Sequence, residues 1–226
     1  MELQQIRNHL SSLIDSEYQQ FQSKLIPNGG KMLGVRIPFL RTYARELRDI
    51  DYTCLLGMNY ESLEEIILVG FLLSQSKKEP NLVLQELELL LPSLQNWEET
   101  DVIASAFKLF RKEPELGLAF IEKCFTSEHP YTIRFGFVLL LNYYICESYL
   151  SFIFQSVEQI KCDHYYVKMA KAWLLSICYI SFPNETNAFF KQTSLDDWTY
   201  HKAIQKCIES RQISNEEKER LKAQKR

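Results

Sequence analysis

The chain of 226 residues has few residues that interrupt helices, with only seven glycines and seven prolines. It also lacks the strand pattern in which apolar and polar residues alternate between turn residues. Apolar residues instead recur every three or four positions in LEEIILVGFLL, LVLQELELLL, VIASAFKLF and FGFVLLLNYYI. These observations argue against a β-sheet protein and predict an all-α fold.

Membrane and secretion signals are also missing from the sequence. No run of about 18 or more apolar residues is free of charged or strongly polar side chains, so no membrane-spanning helix is predicted. The first residues, MELQQIRNHL, contain neither the basic nor the apolar region of a secretory signal. We therefore expect a cytoplasmic protein with no membrane partner.

The cysteines do not form a metal-binding pattern. None belongs to a CxxC pair or has a histidine at zinc-ligand spacing, and most lie in apolar helical runs. We predict that they are reduced residues of the core and that the protein has no metal site. The six residues are Cys54, Cys124, Cys146, Cys162, Cys178 and Cys207.

The chain carries little net charge, with a formal value of -3 at pH 7. Such a balance gives no global attraction to polyanions, so nucleic-acid binding would require a local basic face. The segment VRIPFLRTYARELR is the strongest candidate, because three of its arginines follow one another at helical spacings of four and three. A salt-bridged exterior is the alternative interpretation. The predicted phosphate contacts are Arg36, Arg41, Arg45, Arg48, Lys168, Lys171 and Lys202.

Proline positions indicate where helices begin. Pro38, Pro80, Pro114 and Pro130 each lie at the expected start of a helix, and Pro27-Asn28-Gly29-Gly30 marks a loop. About a dozen helices of about 10 to 18 residues with short connections are predicted. Such lengths favour antiparallel helix pairs stacked into an α-solenoid.

A single domain over residues 1–226 is expected, and we predict a monomer. It would comprise N-terminal helices in 1–30, a repeat core in 31–210 and a C-terminal helix and tail in 211–226. Trp97, Arg134 and Trp173 are spaced 37 and 39 residues apart, close to the period of a HEAT-like helix pair. In such a stack, equivalent helices line one concave face, so these residues are expected to face one ligand.

The segment NWEETD predicts a helix that begins at Trp97. Asn96 is a suitable N-cap residue, and Glu99 lies three positions later, as in a capping box. Trp97 and Asp101 then share one face in consecutive turns. The pair is either a packed indole beside a solvated acid or an aromatic platform beside an anion.

Arg134 and Trp173 each have two interpretations. Arg134 shares a helical face with Phe137 and Val138, so its stem packs among apolar groups while its guanidinium requires a partner. That partner is either an acid within the fold or a bound phosphate. Trp173 lies on the same helical face as Tyr166, and this aromatic stripe serves either core packing or ligand binding.

An ordered set of motifs resembles the AlkD-like family of DNA alkylation repair proteins. These are LGVRIPFLRTYAREL, NWEETD, YTIRFGFVLLLNYYI, YYVKMAKAWLLSICY and HKAIQKCIESRQIS, and the resemblance extends from about Leu33 to Arg220. The family consists of HEAT-like α-solenoids whose concave basic surface holds duplex DNA. Its active members are glycosylases for cationic purines such as 3-methyladenine and 7-methylguanine.

The resemblance implies a role for four residues. Trp97 and Trp173 would be aromatic walls, Asp101 the catalytic acid, and Arg134 the contact to a phosphate of double-stranded DNA. A carboxylate suits this reaction, because positive charge develops on the deoxyribose as the bond to an already cationic purine breaks. No metal or organic cofactor is expected.

An alternative function is a non-catalytic HEAT-like module. Such a module would use the same concave face to bind nucleic acid or a protein partner. Glu98 and Glu99 favour this alternative, since their charge beside the proposed site predicts weaker and salt-sensitive DNA binding. The segment EYQQFQSKLIPNGGKMLGVR also lacks the aromatic residues that active members of the family carry there.

Overall fold

A computed structural model describes residues 3–26 and 30–224 of the chain. Throughout these residues, all regular secondary structure is helical and no strand occurs, which confirms the all-α fold. Residues 27–29 of the predicted loop lie outside the described residues. The chain divides into two compact units, unit 1 (residues 1–120) and unit 2 (residues 121–226), and each is described by itself. The single repeat domain stays a prediction.

Fourteen α-helices occur among the described residues, together with three short 3-10 turns. The helices of residues 1–120 are α1 (Leu3–Ser12), α2 (Ser16–Leu25), α3 (Ile37–Glu46), α4 (Leu63–Ser74), α5 (Pro80–Leu90), α6 (Trp97–Ala104) and α7 (Leu109–Lys112). The boundary between the units falls within α8 (Pro114–Phe125). The helices that follow are α9 (Pro130–Tyr143), α10 (Leu150–Gln159), α11 (Tyr165–Ser181), α12 (Pro183–Gln192), α13 (Asp197–Glu209) and α14 (Asn215–Lys222).

The four prolines begin helices as predicted. Pro80, Pro114 and Pro130 are the first residues of α5, α8 and α9, and Pro38 is the second residue of α3. Proline suits these positions because its fixed φ angle matches a helix and its missing N–H would have no partner in the first turn.

Helix α4 forms the centre of unit 1. Every residue from Leu63 to Leu73 is buried, and the helix packs against α3, α5 and α6. A helix that is apolar nearly all round suits such a position. Gly70 permits close approach to α6, because a Cβ at this position would lie 2.6 Å from a side-chain carbon of Ile103. This contact positions the helix that begins at Trp97.

A buried carboxylate of α4 fixes the chain segment before α3. Glu64 is fully buried and accepts hydrogen bonds from the backbone N–H groups of Leu33, Gly34 and Val35, with shortest distances of 3.0, 2.7 and 3.2 Å. Gly34 has a φ angle of +90°, and a Cβ there would lie 2.7 Å from the carbonyl oxygen of Asp15. The LGV sequence therefore needs its glycine for both conformation and space.

Helix α11 forms the centre of unit 2. It packs against α9, α12 and α13, while α13 also packs against α14. Phe135 and Phe137 of α9 and Leu174 and Leu175 of α11 are fully buried in this core. In both units, the main helix contacts join helices one or two places apart along the chain, as is typical of stacked helix pairs.

The cysteines are free thiols, but only half of them belong to the core. Cys124, Cys178 and Cys207 are buried, as predicted. Cys54 is exposed, so the prediction is wrong for this residue, which lies in a 3-10 turn rather than in an apolar helix. In the part of the chain that the structure describes, no helix has the length and apolar character needed to cross a membrane.

Replacing Gly70 with alanine should destabilise the protein. Alanine alone favours a helix by about 1 kcal/mol over glycine, but the overlap with Ile103 should outweigh this gain and lower the free energy of unfolding by about 1–3 kcal/mol. Urea denaturation measures the change. A double-mutant cycle with Ile103→Ala provides the control, because removing the opposing side chain should reduce the cost of Gly70→Ala. An equal cost in both backgrounds would contradict the packing explanation.

Candidate functional site

Helix α6 begins with the predicted capping box. Asn96 Oδ1 accepts hydrogen bonds from the backbone N–H groups of Glu98 and Glu99, both at 3.0 Å. Glu99 reaches back and accepts a hydrogen bond from the N–H of Gln95 at 2.6 Å. The helix starts at Trp97, as predicted, so Trp97 and Asp101 lie one turn apart. Both side chains are half-buried, which leaves part of each accessible to a ligand.

Glu98 and Glu99 are buried acids. We expected their charge to act beside the proposed site, but Glu98 is 9% and Glu99 2% exposed, since both turn towards the interior of unit 1. Gln22 Nε2 of α2 donates to both carboxylate oxygens of Glu98, at 2.9 and 2.8 Å. Burial, with smaller contributions from the charges of Glu64 and then Asp101, raises the pKa of Glu98. Burial also raises the pKa of Glu99 to about 7.

Arg134 is buried near the start of α9, with 4% of the residue exposed. Its Nη1 donates to the backbone carbonyl oxygen of Tyr166 at 2.6 Å, and the guanidinium carbon lies 5.9 Å from the centre of the Tyr166 ring. Burial and, next, the charge of Arg134 lower the pKa of His164. The guanidinium is therefore held in a fixed direction at the start of α11.

Trp173 lies two turns into α11 and is half-buried. Its neighbours Ala172 and Leu174 are fully buried, so the indole lies at the margin of the core of unit 2. Partial burial of this kind suits either edge packing or a wall of a binding site. The joint orientation of Trp97, Asp101, Arg134 and Trp173 stays a prediction.

Unit 2 contains an aromatic cluster that was not predicted from the sequence. Its members are Tyr131, His164, Tyr165, Tyr166 and Trp198. Ring centroids of neighbouring members are 5.0–6.2 Å apart. The ammonium groups of Lys168 and Lys202 lie 5.4 and 5.7 Å from the Trp198 ring. Trp198 and Lys202 are four residues apart on α13, a spacing visible in DWTYHK.

The predicted arginine face of unit 1 is shorter than expected. Helix α3 ends at Glu46, so Arg48 lies in the turn beyond it, where its Nε bonds to Asp49 at 3.3 Å. Arg36 immediately precedes α3 and forms a salt bridge of 2.8 Å with Asp15. Arg41 and Arg45 remain on one helical face. The guanidinium carbon of Arg41 lies 4.4 Å from the centre of the Phe71 ring.

The three predicted lysine contacts of unit 2 differ in exposure. Lys168 Nζ lies 3.4 Å from a carboxylate oxygen of Asp196, and Lys202 is half-buried beside Trp198. Lys171 is buried, because it lies on the inner side of α11, and its ammonium donates to the carbonyl oxygen of Ile160. Burial lowers the pKa of Lys171 to about 8. Lys168 and Lys202 are therefore the lysines of this set that a phosphate can reach.

Comparison with known families identifies one match. The model of a family described as DNA alkylation repair enzyme matches residues 6–207, a range that includes Trp97, Asp101, Arg134 and Trp173. No curated protein matches the chain. Among the described residues, no group of three or more histidine, cysteine, aspartate or glutamate side chains is placed to hold a metal ion.

The raised pKa of Glu99 predicts how stability depends on pH. Because the folded state holds this proton more tightly than the unfolded state, the stabilisation is complete below pH 4.5 and is lost as pH rises through about 7. The loss should be up to about 3 kcal/mol, and Glu99→Gln should remove it. Urea denaturation of both proteins at about pH 4.5 and pH 8 measures this difference. Glu122→Gln, an exposed change on α8, is the control, and identical pH profiles for Glu99→Gln and wild type would contradict the assignment.

Proposed function

Because the chain belongs to the DNA alkylation repair enzyme family, we propose that it is a DNA glycosylase acting on cationic alkylated purines in double-stranded DNA. Its substrates would be bases such as 3-methyladenine and 7-methylguanine. The observation that carries the proposal is the start of α6, where a firmly capped helix presents a half-exposed indole and a half-exposed carboxylate one turn apart.

Asp101 would act on the sugar. A purine methylated at N3 or N7 already carries positive charge, so the glycosidic bond breaks with its electron pair moving to the purine, which leaves neutral. Positive charge then develops at C1′ of the deoxyribose, where the carboxylate of Asp101 stabilises it. Water adds its oxygen to C1′ and transfers a proton to Asp101 or to solvent. This step requires no metal or organic cofactor.

Trp97 would recognise the positive charge of the damaged nucleotide. The face of an indole attracts a cation by about 0.5–2 kcal/mol, depending on how far water is excluded. Trp97 occupies the first position of α6, where the Asn96 cap orders the backbone, and this order limits the loss of conformational entropy on binding. We assign the second wall to Trp173 of unit 2.

Arg134 would bind a phosphate of the DNA backbone. Its Nη1 donates to the carbonyl oxygen of Tyr166, which fixes the direction of the guanidinium, and the planar fork of N–H donors matches the geometry of a phosphate. Tyr166, a member of the aromatic cluster of unit 2, lies beside this guanidinium, and the rings of the cluster would contact sugars or bases. Lys168 and Lys202 add positive charge beside Trp198.

Neutralising Asp101 should abolish most of the excision activity. Asp101→Asn keeps the size of the side chain but removes the negative charge, so base release should slow by on the order of 10²-fold. The measurement is release of 7-methylguanine and 3-methyladenine from methylated duplex DNA under single-turnover conditions. Glu122→Gln provides a matched loss of one negative charge far from α6 in sequence and should leave release unchanged.

Two outcomes would contradict the glycosylase proposal in different ways. If wild-type protein releases neither base but is retained on DNA at low salt, the chain is a non-catalytic binding module. If it is not retained even at low salt, a protein-interaction module replaces both nucleic-acid functions.

Replacing Arg134 with lysine should weaken DNA binding while keeping the positive charge. Lysine lacks the planar fork, so it cannot both hold the Tyr166 carbonyl and bind a phosphate with two parallel hydrogen bonds. We expect about a tenfold loss of affinity for methylated duplex DNA, measured by fluorescence anisotropy. Thermal unfolding separates this effect from structural damage. Unchanged affinity in a folded Arg134→Lys protein would contradict the phosphate role.

A further inference from the structure

Unit 1 contains a basic cavity that the proposed reaction does not use. The cavity has a volume of about 530 Å³ and lies among α3, the end of α4, the start of α5 and residues 106–113. Among the described residues that line it, five are basic and one, Glu113, is acidic. The basic residues are Arg41, Arg45, Lys78, Lys108 and Lys112.

This concentration of positive charge contrasts with the rest of the chain. The whole sequence has a net charge of -3, so the excess of basic residues in one cavity is a local feature. Part of the lining is apolar, formed by the buried rings of Phe71 and Phe107. Apolar walls exclude water and strengthen the attraction between the basic groups and an anion.

Two of the basic groups are already held in place. Arg41 stacks on Phe71 and donates to Ser105 Oγ at 3.4 Å, which restricts its guanidinium to the cavity wall. Lys78 pairs with Glu86, and its ammonium lies 4.9 Å from the centre of the Tyr52 ring. Arg41 is therefore a preorganised donor, whereas the charge of Lys78 is partly balanced.

The other three basic groups are available to a ligand. Arg45, Lys108 and Lys112 are exposed, and none of them pairs with an acid in the part of the chain that the structure describes. They come from two separate segments, α3 and residues 108–112, which converge on one cavity. A volume of this size accommodates a small anionic ligand or part of a larger one.

We propose that this cavity is a phosphate-binding site whose residues are distinct from Trp97 and Asp101. The four cationic groups other than Lys78 suit a ligand with two adjacent phosphate groups, since guanidinium and ammonium groups both bind phosphate oxygens well. The phosphates belong either to a free nucleotide or to the backbone of a nucleic-acid strand.

The position of the cavity favours the strand backbone. Ser105, which accepts the hydrogen bond from Arg41, follows Asp101 by one helical turn, about 6 Å along the axis. A strand with a nucleotide at Asp101 would therefore place neighbouring phosphates near the cavity. This choice of source rests on the proposed function, whereas the phosphate site itself does not.

Titration of the full chain with pyrophosphate by isothermal calorimetry tests the site without any DNA or excision. The double variant Lys108→Gln and Lys112→Gln should bind pyrophosphate about tenfold or more weakly, because two charge-assisted hydrogen bonds are lost. Lys24→Gln with Lys191→Gln removes the same charge from exposed positions outside the cavity and should bind like wild type. Arg45→Gln, in α3 rather than in residues 108–112, is an independent variant and should also bind pyrophosphate more weakly.

Competition experiments identify the source of the phosphates. Displacement of pyrophosphate by an unmethylated duplex oligonucleotide supports the strand backbone, whereas binding of ADP without displacement by duplex supports a free nucleotide. Absence of pyrophosphate binding to the wild type, or equal binding by the cavity and control variants, overturns the proposal. Because base release is not measured, failure of the glycosylase proposal leaves this result unaffected.

Discussion

The buried carboxylate of Glu64 holds together the part of unit 1 on which the basic residues depend. A negative charge away from water is tolerated only when hydrogen bonds satisfy it, and three consecutive backbone N–H groups do so here. These bonds order residues 33–35 before α3, together with the hydrogen bond from the backbone N–H of Asp15 to the carbonyl oxygen of Gly34. The Glu64 contact joins α4 to the segment about 30 residues before it. It sets the direction of α3 and therefore the positions of Arg36 and Arg41.

Helix α6 buries two of its acids and leaves a third partly exposed. Glu98 and Glu99 turn inwards, where Gln22 and the capping bonds hold them, while Asp101 stays half-exposed. A single short helix thus presents a carboxylate without adding further negative charge at the surface. The sequence predicted that Glu98 and Glu99 would weaken DNA binding by repelling its phosphates. Because both side chains are buried, they do not face a bound polyanion.

Local features of the sequence predicted much of the fold. Proline at helix starts, the capping box at Asn96 and the apolar period are all properties of neighbouring residues, and each was confirmed. The features that were missed join distant residues. Glu64 binds a loop about 30 positions away, Lys171 turns to Ile160, and the aromatic cluster joins α9, α11 and α13. Spacing within one helix gives its faces, but it does not show which face another helix will cover.

The burial of Lys171 changes how the charge of unit 2 should be counted. Its ammonium donates a hydrogen bond from α11 to the carbonyl oxygen at the end of α10. Lys171 therefore links two helices inside the fold and is not a surface cation. An electrostatic map drawn from residue types alone would overstate the positive potential along α11. The positive potential along α11 comes instead from the charged side chains that remain in contact with solvent. Salt screens these charges, so the potential weakens as ionic strength rises.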